Sequence, residues 1–176
     1  MNTVIRLTLA CALAATIAPA PVFAQDSSCA AYIDATTPKP DRPYRVQQTM
    51  KLDGTEMKSE AVYINNTIYT RSPDAAGGKW RATPMPDLKE AIAVAKKTTS
   101  RCSVTGVDTI DGKPMKVWTS YSTTPFEPKP SQWKTWIGAT DGRVYRQASD
   151  GIDQRIFYDN VAAPAASDIA QPRKKK

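Results

Sequence analysis

The chain lacks most of the side-chain chemistry that enzymes use. It contains no histidine, which excludes Ser-His and Cys-His nucleophile pairs and removes the commonest ligand of zinc and copper. It also has no Cys-x-x-Cys motif and no glycine-rich phosphate loop. Aspartates and glutamates are scattered, many of them in turn motifs. The sequence does not exclude a pair of carboxylates that come together only in the folded protein. We predict a protein that is not an enzyme and uses no cofactor or metal.

The first 24 residues have the pattern of a secretory signal peptide. Residues 1–6 end in an arginine, and residues 7–17 are apolar but too short to span a bilayer. Val22-Phe23-Ala24 places small residues where a signal peptidase reads them. We expect cleavage near Ala24, a signal peptide over residues 1–24, and a periplasmic or secreted mature protein.

Two cysteines, Cys29 and Cys102, remain after that cleavage, because Cys11 lies inside the apolar stretch. A lone pair of cysteines in an oxidising compartment usually forms a disulfide. The alternative is a pair of reactive thiols, which the absence of a redox motif disfavours. We predict a Cys29–Cys102 disulfide that joins the N-terminus to the middle of the chain.

Alternating apolar and polar residues predict that most of the chain is a β-sheet. The clearest case is residues 44–52, where Tyr44, Val46 and Met50 share one face. Turn signals then separate short strands: Asp53-Gly54, Asn65-Asn66, Asp111-Gly112, Asp141-Gly142 and Asp150-Gly151. The predicted strands cover residues 44–52, 56–64, 67–71, 80–82, 101–110, 114–122, 132–140, 143–149 and 152–161. This order predicts a meander of antiparallel neighbours.

Two helices are predicted beside this sheet. Residues 86–99 place Leu88 and Ile92 on one apolar face, with a proline in the first turn and lysines near the end. A short helix around Cys29 is ended by the prolines that follow it.

Apolar residues lie on both faces of several predicted strands. Trp133 and Trp136, for example, differ in parity and therefore point to opposite faces of one strand. A sheet with apolar residues on both faces and few helices to cover it favours curvature around an interior, which is either an apolar pocket or a plain packed core.

The chain is basic, with 24 Lys+Arg against 17 Asp+Glu and a formal charge of +7. This balance favours anionic partners such as lipid headgroups or acidic polysaccharide. The predicted compartment argues against nucleic acid, and a basic surface with no specific partner is the alternative. Residues 165–176 end in Arg-Lys-Lys-Lys, and we expect them to form a disordered basic tail.

Several segments, taken in order, resemble the periplasmic lipoprotein-carrier superfamily, which includes the outer-membrane lipoprotein carrier and receptor and the mycobacterial lipid-carrier lipoproteins. They lie between residues 43 and 164: 44–54, 61–69, 78–80, 106–112, 117–121, 136–137, 141–144 and 157–164. The resemblance implies an unclosed, strongly curved antiparallel sheet with helices on its concave side around an apolar cavity. It also implies binding of an acyl chain or another hydrophobic ligand without catalysis.

Taken together, these features predict one α+β domain over residues 25–164, built as an unclosed half-barrel sheet with one main covering helix and a short N-terminal helix. The predicted function is non-enzymatic binding of a lipid or other hydrophobic ligand, with a possible anionic membrane surface or envelope protein as partner. A module that binds a protein partner, as an inhibitor or an accessory of an envelope complex, is the alternative. The predicted ligand-binding residues are Val46, Met50, Val62, Ile64, Leu88, Ile92, Met115, Val117, Trp133 and Ile137.

Overall fold

The computed structural model describes residues 25–72, 78–123 and 129–171. The predicted signal peptide, residues 1–24, and the last residues of the basic tail, 172–176, lie outside the described residues. The described part contains two α-helices, α1 (Gln25–Thr36) and α2 (Leu88–Thr98), and a short 3-10 helix (Ala166–Asp168). Its strands are β1 (Tyr44–Leu52), β2 (Thr55–Ile64), β3 (Thr67–Arg71), β4 (Arg81–Pro84), β5 (Thr99–Ile110), β6 (Lys113–Ser122), β7 (Ser131–Gly138), β8 (Val144–Ser149) and β9 (Ile152–Phe157).

These nine strands form one antiparallel sheet in the order β4-β3-β2-β1-β9-β8-β7-β6-β5. Consecutive strands pair with each other from β1 to β4 and again from β5 to β9. These two groups of strands join where β1 pairs with β9. The edge strands β4 and β5 do not pair with each other, so the sheet is curved but unclosed. The predicted α+β fold with an open, curved antiparallel sheet is therefore confirmed.

The predicted turns set the strand register. In the turn Asp53-Gly54 both residues have positive φ, 48° and 79°, and Asp111-Gly112 repeats this at 50° and 76°. Two-residue turns with this backbone match the twist of the strands that they join. Asn65 and Asn66 adopt the same left-handed conformation without glycine, which asparagine tolerates best among the larger residues.

The two faces of the sheet carry different cores, because adjacent residues of a strand point to opposite sides. The face that α1 covers, here called the helix face, is built around a cluster that includes Tyr32, Ile33 and Ile137. The opposite face carries a second cluster that includes Met115 and Trp136. Trp133 and Trp136 do lie on opposite faces, since Trp133 pairs with Ser120 and Trp136 with Val117.

Helix α1 provides more of the core than the sequence indicated. Its Tyr32 and Ile33 are buried, and Cys29 is joined to Cys102 in β5, which confirms the predicted disulfide. The longer predicted helix begins at Leu88, where the Asp87 side chain accepts hydrogen bonds from the backbone of Lys89 and Glu90. That helix, α2, has no buried residue, so α1 is the main covering helix.

Residues 165–171, the first part of the predicted basic tail over residues 165–176, lie within the described part of the chain. Ile169 forms a parallel bridge with Trp80, and Trp80 exchanges backbone hydrogen bonds with Asp168 and Ala170 at 2.9 and 2.7 Å. Residues 168–170, which composition alone assigned to a tail, are thus held by backbone pairing with Trp80, the residue before β4. No helix in the described ranges is long and apolar enough to cross a membrane.

Candidate ligand-binding cleft

A cleft of about 240 Å³ lies between the C-terminal end of α1 and the helix face of the sheet. Its floor comes from β1, β2, β8 and β9, and its wall from the end of α1 and the loop that follows. The lining residues with largely apolar or aromatic side chains are Ala35, Pro38, Tyr44, Val46, Ala61, Tyr63, Val144, Ile156 and Tyr158. The remaining lining residues are Thr36, Thr37, Lys39, Arg42, Gln48, Ser59, Gly142, Arg143, Gln147 and Gln154.

The wall is held in place by the way α1 ends. The Thr37 hydroxyl donates to the Ile33 carbonyl at 2.6 Å, and the Thr37 amide donates to the same oxygen at 2.9 Å. Pro38 follows directly and cannot continue the helix. The chain therefore turns away from α1 at the edge of the cleft and leaves the sheet beyond this point uncovered by α1.

Three tyrosines form the aromatic part of the floor. Tyr44 and Tyr63 pair across β1 and β2, and their rings stack with centroids 4.3 Å apart. The Tyr158 ring lies 6.0 Å from that of Tyr44, and its hydroxyl donates to the Val144 carbonyl at 2.8 Å. The three rings therefore form one continuous aromatic surface at the end of the cleft where β1 begins.

These phenols stay neutral at physiological pH. Burial, with smaller contributions from Tyr63 and Tyr158, raises the pKa of Tyr44 far above its ordinary value. Burial also raises the pKa of Tyr63, and it raises the pKa of Tyr158 to about 12. No phenolate charge therefore develops on the aromatic floor near neutral pH.

Glutamine side chains form the polar part of the floor, and they bind one another or the core. Gln154 Nε2 donates to Gln48 Oε1 at 2.8 Å. Gln147 Nε2 approaches the hydroxyl of Thr135 at 3.4 Å, and that buried hydroxyl also pairs with the Tyr32 hydroxyl at 2.9 Å. These amides are neutral, so the lining carries formal charge only at Lys39, Arg42 and Arg143.

Among the predicted ligand-binding residues, only Val46 lines this cleft. Met50, Trp133 and Ile137 share its face of the sheet by register, and Ile92 packs from α2 against the core there. Leu88, also on α2, is half-buried. The others lie on the opposite face: Val62, Ile64, Met115 and Val117.

The register explains this division. An even-numbered residue of β1 pairs with an odd-numbered residue of β2, so Val46 shares its face with Ala61 and not with Val62. Val62 instead pairs with Arg45. The two-residue turn Asp53-Gly54 implies this parity, and it is the sequence signal that identifies the other lining residues of β2.

The interior of the curved sheet is filled on one side and open on the other. Beneath α1 the side chains of Tyr32, Ile33 and Ile137 are packed together with the disulfide. The cleft begins where this packing ends, beside Val144 and Ile156, which belong to both the core and the cleft lining. A packed core and a pocket therefore coexist on the helix face.

The chain is similar in structure to several solved proteins. No family model matches it, and no curated protein matches its sequence. Among solved structures, MucB aligns at 10% identity with a TM-score of 0.45, over 84% of this chain and 63% of the MucB chain, so this chain spans less than two thirds of that protein. The lipoprotein LppX of Mycobacterium tuberculosis aligns at 14% identity with a TM-score of 0.45, over 77% of this chain and 98% of LppX. LprF from Mycobacterium bovis aligns at 15% identity with a TM-score of 0.44, over 80% of this chain and 93% of LprF. These are distant similarities of structure, with TM-scores of 0.44 to 0.45.

Proposed function

We propose that this is a non-enzymatic, periplasmic binding protein whose cleft takes the hydrophobic part of a lipid or similar ligand. The observation that carries the proposal is the aromatic and aliphatic floor, which adjoins the core yet stays open beside the end of α1. Binding pockets are typically concave and mostly apolar, with a few polar groups that orient the ligand. The predicted signal peptide supports the compartment, where lipids are the commonest hydrophobic molecules.

The size of the cleft indicates partial enclosure of the ligand. At about 240 Å³ it is smaller than the roughly 300–1,000 Å³ of sites that bury a whole drug-sized molecule. Each methylene that leaves water contributes about 0.8 kcal/mol before ordering costs. We therefore expect one segment of an acyl chain to lie beside the tyrosines. The rest of the acyl chain would lie toward Met50, along the part of the helix face that α1 leaves uncovered.

The test is displacement of a fluorescent fatty acid, with one alanine enlarged inside the cleft and one outside. Ala61 lines the cleft and pairs with Val46, so Ala61→Phe places a ring in the space that the ligand needs. Ala82 is exposed on β4 and does not line the cleft, so Ala82→Phe is the matched control. We expect Ala61→Phe to weaken binding by roughly tenfold or more and Ala82→Phe to leave it unchanged. Equal affinities for all three folded proteins, or no binding by the wild type, would contradict the proposal.

A protein-binding role is the second candidate, and edge strand β5 favours it. Val104 and Val107 on this edge are 51% and 86% exposed, and the only charged residue between Cys102 and Ile110 is Asp108. Long edge strands with few charges pair readily with an added strand from another chain.

The opposite edge lacks this character. Strand β4 has only four residues, ends in Pro84, and is preceded by Trp80, which already pairs with the segment after β9. A photo-crosslinking residue at position 107 should therefore give a discrete protein adduct in the native envelope. The same residue in place of the exposed Leu52 should give none, and identical patterns at both positions would count against this role.

A further inference from the structure

We propose that the cleft selects hydrophobic ligands with an acidic headgroup, a carboxylate or a phosphate, and that Arg42 and Arg143 bind this group at the mouth. The inference rests on the proposed function and adds the chemical class of the ligand and the residues that orient it. Its basis is the distribution of charge and hydrogen bonding around the cleft.

The two arginines come from separate turns that meet at the same cleft. Arg42 closes a turn in which its amide donates to the Lys39 carbonyl at 3.1 Å, just before β1. Arg143 lies between β7 and β8, where its carbonyl accepts a hydrogen bond from Gly138 at 2.8 Å and its amide donates to Asp141 Oδ1 at 3.0 Å. Hydrogen-bonded turns fix both backbones, so both exposed side chains leave the main chain from defined positions beside the cleft.

The charge of the lining is entirely basic. No aspartate or glutamate is among the lining residues of the cleft, whereas three basic residues are. Lys39 is already engaged, because its Nζ lies 2.9 Å from Asp34 Oδ1. Within the described ranges, neither Arg42 nor Arg143 forms a salt bridge with a carboxylate. Arg143 has the Asp141 carboxylate nearby, and the Arg143 charge adds to the hydrogen bonds from Tyr145 and the Arg143 amide that lower the pKa of that carboxyl. An acidic ligand would give each arginine a direct ionic partner, and arginine binds planar acidic groups with two parallel hydrogen bonds.

Arg143 also connects the rim to the aromatic floor. Its guanidinium carbon lies 4.9 Å from the centroid of the Tyr158 ring, which stands beside Tyr44. The nearby Asp141 is occupied by its own contacts, since it accepts a hydrogen bond of 2.7 Å from the Tyr145 hydroxyl as well as one from the Arg143 amide. A ligand with its acid on Arg143 would therefore place its first methylenes against the tyrosines.

The polar part of the floor offers the acid only neutral partners. The amide of Gln154 donates to Gln48, and that of Gln147 is directed to Thr135. Both contacts lie on the sheet, away from the turns that carry the arginines. An acidic group therefore gains most at the rim, and the alkyl chain extends inward from it.

The test compares a fatty acid with the fatty alcohol of the same chain length, by calorimetry at low ionic strength. The wild type should bind the acid at least about tenfold more tightly than the alcohol, as expected for charge-assisted hydrogen bonds. The double variant Arg42→Gln/Arg143→Gln should bind both ligands with nearly the affinity that the wild type has for the alcohol. Arg81→Gln, which changes an exposed arginine of β4 outside the cleft lining, should keep the full preference.

The outcomes separate this inference from the proposed function. If the wild type binds acid and alcohol equally, the inference fails and the hydrophobic cleft stands. If the double variant keeps the preference for the acid, the assignment of the two arginines is wrong. If neither ligand binds, the proposed function fails as well. Inorganic phosphate and acetate at millimolar concentration should compete only weakly; full displacement by either would show a site for free anions and overturn the lipid assignment.

Discussion

Removal of the Cys29–Cys102 disulfide should lower the free energy of unfolding by about 4 kcal/mol. The bond joins residues 73 positions apart. In the chain-entropy model, a cross-link of that span removes roughly 15 cal/mol/K from the unfolded ensemble, or about 4 kcal/mol at 25 °C. For a domain of this size, the same change lowers the melting temperature by roughly 8–16 °C.

Helix α1 should be destabilised by removal of the disulfide more than any other element. It has twelve residues and almost no apolar periodicity, and helices of that length are marginal on their own in water. Its attachment therefore depends on the disulfide and on the buried side chains of Tyr32 and Ile33. Because the end of α1 forms the wall of the cleft, the variant should also bind the fluorescent fatty acid more weakly.

The assay is guanidinium unfolding of the oxidised protein and of Cys29→Ala/Cys102→Ala, followed by circular dichroism. Ser100→Ala/Ser103→Ala, at exposed positions of the same strand, is the matched control and should change the unfolding free energy by less than about 0.5 kcal/mol each. The wild type in excess reductant should match the cysteine variant. A loss below about 1 kcal/mol would refute the loop-closure reasoning, since it would mean that the unfolded chain gains little freedom without the bond.

Three further predictions concern single contacts. Tyr32→Phe removes the hydroxyl that lies 2.9 Å from the fully buried Thr135 hydroxyl and leaves the 3.4 Å contact with Gln147 Nε2, so it should lower the free energy of unfolding by about 1–3 kcal/mol; no measurable change would show that the contact with Gln147 satisfies Thr135. Since burial raises the pKa of Tyr158 from 10.0 to about 12, the folded state keeps a proton that the unfolded state loses first. The stabilising contribution of Tyr158 should therefore be constant below about pH 10 and be lost as the pH rises toward 12, so Tyr158→Phe should reduce the fall in stability over that range; an equally steep loss in the variant would contradict this assignment. Ala170→Pro removes the backbone amide that donates to the Trp80 carbonyl at 2.7 Å, so it should loosen residues 168–170 and raise their rate of limited proteolysis, whereas unchanged cleavage would show that other contacts hold the segment.

Local signals predicted the strands because each one has a physical cause within a few residues. Alternation placed β1 at residues 44–52, and the pairs Asp53-Gly54 and Asp111-Gly112 marked turns that require positive φ. The disulfide also followed from cysteine count and compartment. The strands and turns depend on neighbours in the sequence, and the disulfide joins the two cysteines that remain outside the predicted signal peptide, so no knowledge of the tertiary fold was needed.

The cleft depends on pairings that no local pattern encodes. Val46 meets Ile156 only because β1 pairs with β9, and this brings the turn that carries Arg143 to the loop that carries Arg42. The bulge between the pairs Trp136–Arg146 and Ile137–Val144 then changes the parity of β8. Without these pairings, the prediction selected residues from both faces, such as Val46 and Val62, and missed the tyrosines and arginines of the cleft.

The most direct test of the hydrophobic cleft is photoaffinity labelling with a diazirine-bearing fatty acid, read at residue resolution by mass spectrometry. We expect the label on the cleft floor, at Tyr44, Tyr63 or Tyr158, and we expect excess unlabelled fatty acid to remove it. Met115, on the opposite face of the sheet, should remain unlabelled. Labelling confined to the opposite face, or labelling that unlabelled acid does not displace, would contradict a ligand site on the helix face.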